Sequence, residues 1–372
     1  MKLNRIYLQN YGNYERQDLL PDPELNIFTG NNAQGKSNLL DAIYYLSRGA
    51  SGRFSRDRDI IRWGGDFFRI TALLESAGLE QKVSITYGKG RKDIRVDGNT
   101  VENFASLAGV FRTVLFSPDD LFLVKGGPEY RRTFLDHELI QTGSGYEREL
   151  QNYRRILNHR NALLKLLREN QGKMDLLEVY DRQLAVSGSR LIRIRLSMLE
   201  KLDPLARTIH SRLTNGEERL EVKYQCSACR QQDSVNPPSE EDFLDILAEA
   251  RDDDIRRGST GCGPHRDDLL LEVNGTDIRT FGSQGQCRTT ALSLKMAELE
   301  YLKVETGEYP VLLLDDVLSE LDLQRRTSLL DTVRQSIQTF ITGTGTDLLG
   351  DTLLGKARVF TIKNGRIHTE SS

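Results

Sequence analysis

Residues 2–9 and 25–29 read as short strands, the second running through Ile27-Phe28-Thr29 into a glycine-bounded segment. Beyond it, Asn38-Leu39-Leu40-Asp41-Ala42-Ile43-Tyr44-Tyr45-Leu46 places apolar residues at helical spacing. From about 67 to 116 the pattern changes to alternating runs rich in β-branched residues, Phe68 to Leu74, Gln81 to Tyr87 and Ile94 to Val96. The Asp97-Gly98 step there is a hairpin signal, so this stretch is expected to form an antiparallel sheet. Between 144 and 213 Tyr146, Leu150, Tyr153, Leu157 and Leu164 form one stripe, Gln171-Gly172-Lys173 breaks it, and a second periodic run reaches Leu213. That predicts an αα-hairpin, each arm spanning only ~40 Å. Val311 to Leu314 is continuously apolar, as expected of a central strand covered on both faces.

The chain has 372 residues, enough for about two domains with a sizeable core. Its 38% hydrophobic and 28% charged residues are ordinary for a soluble globular protein, and no stretch approaches the ~18 consecutive apolar residues of a membrane span. The N terminus lacks the apolar core of a signal peptide, so a cytoplasmic location and no membrane partner are expected. Four cysteines make no disulfide framework. Cys226-x-x-Cys229 lacks the second pair that a zinc site needs, and reads more simply as a polar loop or hairpin tip.

Candidate chemistry lies at the two ends of the chain. Gly30-Asn31-Asn32-Ala33-Gln34-Gly35-Lys36-Ser37 fits the phosphate-loop pattern G-x-x-x-x-G-K-[ST]. In that pattern backbone N–H groups wrap phosphate oxygens, the lysine neutralises the terminal phosphates and the hydroxyl reaches Mg²⁺. Strand, glycine loop and helix is the context the motif requires, and Asn38 follows at once. Asp315, ending the apolar run, is the candidate partner for Mg²⁺, and Asp316 is placed to orient or deprotonate the attacking water. Lys36 and Asp316 are therefore the candidate catalytic residues, and Ser37 and Asp315 the candidate metal ligands. Because 279 positions separate Lys36 from Asp315, a large insertion must divide two strands of one sheet. The expected fold class is α/β: a head with a mixed sheet around the phosphate loop, split over 1–120 and 255–372, and a short helical arm domain over 121–254.

Phe281-Gly282-Ser283-Gln284-Gly285-Gln286 opens another helix, Gly263-Pro264-His265-Arg266-Asp267-Asp268 forms a compact block, and Leu313 to Asp322 ends in Ser319-Glu320-Leu321-Asp322. Together with the phosphate loop, these blocks resemble the ABC ATPase heads of the SMC-like DNA-repair class and, within it, the RecF family; the match covers nearly the whole chain. The short arm agrees with that family rather than with long-coiled relatives. The resemblance implies that two ATP molecules are sandwiched between two protomers, each phosphate loop facing the other's signature serine. Ser283, with the backbone near Gly285 and Gln286, is then the candidate γ-phosphate site. It further implies a weak ATPase used as a switch, an ATP-dependent homodimer, binding to double-stranded DNA near single-stranded DNA gaps, and cooperation with RecO and RecR in loading RecA. The alternative is an ABC-type subunit of another DNA-processing complex, nuclease or SMC-like.

Two features depart from the family pattern. Tyr11-Gly12 stands where an aromatic–arginine pair is usual, leaving Arg5 or Arg16 to compensate. No histidine follows the last core strand at Ile341-Thr342-Gly343-Thr344, and Asp316 is a methylene shorter than the usual glutamate; both favour slow hydrolysis. His265 reads as a turn-ordering residue rather than a base. Net charge is −3, yet basic residues outnumber acidic ones 13 to 6 between Gln151 and Leu213, including Arg154, Arg155, Arg160, Arg190, Arg193 and Arg195. A second cluster, Arg48, Arg53, Arg56, Arg58 and Arg62, is diluted by Asp57 and Asp59. Each cluster is either a solvated face or a DNA contact.

Overall fold

The computed structural model describes residues 1–369 except 102–106, 108, 144, 231–235, 334–336, 346–354 and 356. It forms two compact units, Met1–Asp120 with Glu298–Ser372, and Leu121–Ala297. The second unit thus includes the Gly263–Asp268 and Ser283–Gln286 blocks, beyond the arm boundary drawn at 254.

In the first unit, β1 (Lys2–Tyr11), β2 (Tyr14–Leu19), β4 (Phe67–Ser76), β5 (Leu79–Gly88), β6 (Arg91–Val96) and β7 (Asn99–Thr100) make an antiparallel sheet in the order β2-β1-β4-β5-β6-β7. Asp97 and Gly98 both have positive φ, 49° and 84°, which matches the right-handed twist of the flanking strands and closes β6 onto β7. A second sheet has the order β15-β14-β3-β13-β12-β8, from β3 (Leu25–Thr29), β8 (Thr113–Phe116), β12 (Val311–Asp315), β13 (Thr339–Thr342), β14 (Arg358–Lys363) and β15 (Arg366–Thr369). Its interior pairings are parallel and only β15 runs antiparallel. Residues 113–116, expected in the antiparallel sheet, instead pair in parallel with β12. Thr113, Val114 and Phe116 are all buried, which suits a strand covered on both faces and not an alternating one.

β3 and β12 are indeed strands of one sheet, with β13 between them. Phe28 on β3 stacks on Phe340 and Phe360 of the flanking strands, at 6.2 and 4.9 Å between centroids. Gln338 joins the two sheets, accepting from the Leu3 backbone N–H at 2.6 Å and donating to Leu3 and Asp22 carbonyls. Helix α1 (Lys36–Arg48) contributes Leu39, Leu40, Ile43 and Tyr45 to one core shared with both sheets, and the short α2 (Asp57–Ile60) caps it through Ile60. α11 (Leu323–Val333) follows β12.

The second unit contains α3 (Leu121–Lys125), α4 (Pro128–Gln141), α5 (Tyr146–Arg168), α6 (Met174–Leu213), α7 (Glu240–Glu249), α8 (Arg251–Arg257), α9 (Ile278–Phe281) and the start of α10 (Gln284–Thr306). A three-stranded antiparallel sheet, β11-β10-β9, completes it, from β9 (Leu220–Gln225), β10 (Asp268–Val273) and β11 (Thr276–Asp277). α5 and α6 are the expected αα-hairpin. The arms are unequal: α5 has 23 residues and α6 has 40, so α6 extends about 60 Å at 1.5 Å per residue and exceeds the ~40 Å expected.

Two arginines counted in the basic face are core residues. Arg160 donates to Asp181 at 2.7 Å, Asp254 at 2.7 Å and Thr260 at 2.8 Å, and is fully buried. Arg195, also buried, donates to Asp136, Tyr146 and the Pro264 carbonyl. Neither presents its charge at the surface of the unit, since each is desolvated and paired inside it. Cys226 and Cys229, after β9, are bonded to each other as a disulfide, so neither is a metal ligand; Cys226 and Ala228 are buried, not a polar tip.

Candidate active site

The phosphate loop leaves β3 and enters α1 through backbone angles that only glycine accepts readily. Gly30 has φ 144° and a Cβ there would lie 2.4 Å from the Ile362 carbonyl; Gly35 has φ 118° and would meet the Asn13 amide at 2.6 Å. The loop is braced from outside. Gln34 accepts from Asn364 and Gly365 N–H through its side chain and carbonyl, Asn13 Nδ2 donates to the same carbonyl at 2.7 Å, and Tyr14 donates to the Gly35 carbonyl at 2.9 Å. Pre-organised N–H groups at a helix start form an anion site.

Lys36 is nearly buried and its Nζ donates to the Gly30 and Asn31 carbonyls at 2.6 and 3.0 Å. Burial pulls its ammonium below the ordinary lysine range, and the carboxylates of Asp316 and Asp315 push it back up. Those two acids are therefore electrostatic neighbours of Lys36 despite the distance in sequence. The register explains the meeting: Asp315 pairs with Thr342, and Thr342 with Phe28, so the carboxyl ends of β12, β13 and β3 are level. Ligands of open parallel sheets bind at this edge.

Thr342 had no signal in the sequence beyond closing a strand. Its hydroxyl donates to Asp315 Oδ1 at 2.8 Å and accepts from the Asp316 N–H at 3.0 Å, so one side chain orients the Asp315 carboxylate and ties down the Asp316 backbone. Asp316 itself has φ 56°, a left-handed conformation at a candidate catalytic position. Arg53 is a second residue whose place is tertiary. Asp41 on α1, its carboxyl pushed up by burial, accepts from Tyr11, Ser51 and the Gly52 N–H, and the anchored loop brings Arg53 Nη1 to Asn38 Oδ1 at 3.2 Å. Of the two arginines expected to compensate, Arg5 pairs with Asp18 and Arg16 is exposed on β2. Gly12 has its own reason, since with φ 56° a Cβ there would lie 2.6 Å from Asn38 Nδ2.

In the second unit Ser283 starts α10. Its Oγ accepts from the Gln286 N–H at 3.2 Å, while Gln286 Oε1 accepts from the Ser283 N–H at 3.0 Å, a reciprocal cap. Because Oγ acts here as acceptor, its own proton is free in direction to donate outward. Ser283, Gln284 and Gly285 are exposed, and Gln286 is held by Glu218 at 2.9 Å. His265 accepts from Tyr153 at Nδ1 (2.7 Å) and lies 3.2 Å from the Thr260 carbonyl at Nε2, with burial lowering its pKa to about 4. A neutral imidazole bridging two segments orders the turn.

The model of the RecF/RecN/SMC N terminal domain matches residues 2–366. A DNA replication and repair protein RecF from Clostridium novyi is 41% identical over 369 residues, covering 99% of this chain and all of that one. The chain belongs to the RecF family. A RecF protein of the same description from Halothermothrix orenii is 42% identical, over 99% of this chain and 98% of its own length. Among solved structures, the recombination mediator protein RecF-ATP in the RecFOR pathway superposes with a TM-score of 0.91 at 39% identity, covering 99% of this chain and 97% of that one. The Smc head domain of Pyrococcus furiosus, at 15% identity and a TM-score of 0.55, shares the fold. RecF-family membership makes this an ATP-binding ABC-type head acting in recombinational repair and replication restart.

Proposed function

We propose that the chain is a weak ATPase whose nucleotide state switches a dimeric DNA clamp. The observation that carries this reading is the convergence of Lys36, Asp315 and Asp316 at one sheet edge, beside a phosphate loop built for an anion. Lys36 and the N–H groups of 30–37 bind and orient the triphosphate. Ser37 and Asp315, both oxygen donors, are the residues that would hold Mg²⁺, which neutralises phosphate charge when bound. Asp316 accepts a proton from the attacking water. Ser283 at the start of α10 faces a partner protomer's γ-phosphate, and Phe281, 74% exposed beside it, supplies apolar area to the same interface. Loss of the γ-phosphate removes the shared contact and opens the dimer.

Duplex DNA near a single-strand gap is the proposed cargo, with RecO and RecR as partners in loading RecA; that relatives of the chain are a DNA replication and repair protein and a recombination mediator of the RecFOR pathway supports this reading. The test is the mass of the chain in solution with ADP, ATP and a slowly hydrolysed analogue, each with and without duplex DNA. Dimers with ATP and its analogue, dissolving with ADP, are expected. A monomer under all conditions overturns the clamp.

A further inference from the structure

The chain has a single tryptophan, Trp63, and its side chain is 98% exposed. It does not sit on a loose loop. Ile61 bridges to Tyr11, the Arg62 N–H donates to the Asn10 carbonyl at 2.9 Å, and the Gly12 N–H donates to Ile60 at 2.7 Å, pinning the segment to β1. The Gly65 N–H then closes a turn on the Arg62 carbonyl at 2.9 Å, with Gly64 at φ 82° in the third position. Trp63 is the second residue of that turn, so a rigid backbone holds a large indole out in water. Such an arrangement contributes nothing to the core and exposes apolar area that binding would cover.

The surroundings select the occupant. Arg56 and Arg58 are exposed just before the turn, and Arg62 lies 3.6 Å from Glu15. Phe67 pairs with Gly88 and Gly88 with Arg91, so the exposed Lys89 and Arg91 of the β5–β6 hairpin share the sheet end at which the turn enters β4. Arg69 is also exposed two residues into β4. Asp57 is taken up by Lys92 at 2.9 Å and by Tyr45, leaving Asp59 and Asp66 as the exposed acids of the segment. An exposed indole on an element that also carries exposed Arg56, Arg58 and Arg69 combines the two features with which a nucleobase is stacked and its phosphates are neutralised.

We propose that Trp63 is a stacking site for an unpaired base, engaging the single-stranded side of a duplex junction while Arg56, Arg58, Arg69, Lys89 and Arg91 contact the adjoining backbone. The proposal rests on the DNA-holding reading and adds to it a means of telling a gap from continuous duplex.

Because Trp63 is the sole tryptophan, its emission reports this site alone. The full chain with a slowly hydrolysed ATP analogue is titrated with a labelled duplex carrying a single-stranded tail, and with a blunt duplex, following label anisotropy and tryptophan emission together. The tailed duplex is expected to quench the emission more than the blunt one. Trp63→Ala should keep the thermal transition and weaken tailed-duplex binding on the order of tenfold with little effect on blunt duplex, and Trp63→Phe should restore most of it. The tailed-to-blunt ratio should persist as salt rises, since stacking is not ionic. Anisotropy rising on both DNAs with unchanged emission and an indifferent Trp63→Ala overturns the stacking site while leaving DNA holding intact. No anisotropy change with either DNA overturns both. Emission that responds to protein concentration and ATP alone assigns the surface to a second copy of the chain and overturns the nucleic-acid assignment.

Discussion

At the residue scale, Lys36 and Asp316 make separable claims. Lys36→Ala deletes the point charge beside the phosphates and leaves the Gly30 and Asn31 carbonyls without their donor. A charge-assisted hydrogen bond contributes roughly 1.5–3 kcal/mol, so ATP affinity should fall about 10- to 100-fold by calorimetry, and dimers should disappear with it. Wild-type affinity in this variant would remove Lys36 from the site. Asp316→Asn keeps Asp315 and Thr342 in place and removes the proton acceptor. Single-turnover hydrolysis should drop about 10²- to 10⁴-fold with ATP binding retained, giving long-lived dimers; undiminished turnover would move the catalytic role elsewhere. His265 offers a pH test. Its folded pKa of about 4 lies below the ordinary 6.5, so the unfolded chain binds more protons between those values. Its stabilising share is complete above pH ~6.5 and is lost as pH falls toward ~4, amounting to a few kcal/mol at most at 1.36 kcal/mol per unit. Denaturant midpoints of His265→Gln should depend less steeply on pH across that window, and an unchanged slope would show that the titration belongs to other groups.

At the element scale, the start of α10 has two duties. Ser283→Ala removes the cap oxygen and should cost ~1 kcal/mol in thermal unfolding without abolishing ATP binding. Ser283→Arg places bulk and charge where the proposed partner phosphate sits, so the monomer should still bind ATP while association is lost; normal dimers from this variant would place Ser283 away from the interface. The α5–α6 hairpin shows how tertiary structure alters the choice of variants. Arg160→Ala leaves Asp181 and Asp254 buried without their common partner, at a cost of about 3–5 kcal/mol, so loss of DNA binding there would report unfolding. Arg155, exposed on α5, is a usable position for charge reversal; Arg154, although 61% exposed, also reaches Asp136 at 3.2 Å.

At the scale of the whole molecule, a chain of net charge −3 must hold DNA through local basic surfaces. Binding of the ATP-bound form to duplex should weaken steeply with salt, with a log–log slope of about −0.9 per phosphate neutralised, and show little sequence preference. Reversing Arg56 and Arg58 to Glu should lower that slope; if it is unchanged, these arginines are a solvated face. Among the described residues no helix is long and apolar enough to cross a membrane.

What was legible in the sequence is what short range determines. The glycines and lysine of the phosphate loop, the helix after it and the Asp97-Gly98 turn are set by neighbours a few residues apart, whose backbone angles and spacing the residue types already specify. The all-apolar run before Asp315 likewise announced a strand covered on both faces, and the split head followed from its distance to Lys36. The tertiary structure alone decided where charge is solvated and which distant groups meet. Arg160 and Arg155 are the same letter on one helix, and only packing against α6 and α8 separates a core ion pair from a surface cation. Thr342 reaches Asp315 and Asp316 because parallel strands align ends that lie 26 and 27 residues apart, and Arg53 reaches Asn38 because buried Asp41 holds its loop. The exposure of Trp63 was not legible in the sequence; a turn pinned to β1 by strand pairing fixes its backbone and holds the ring out in water.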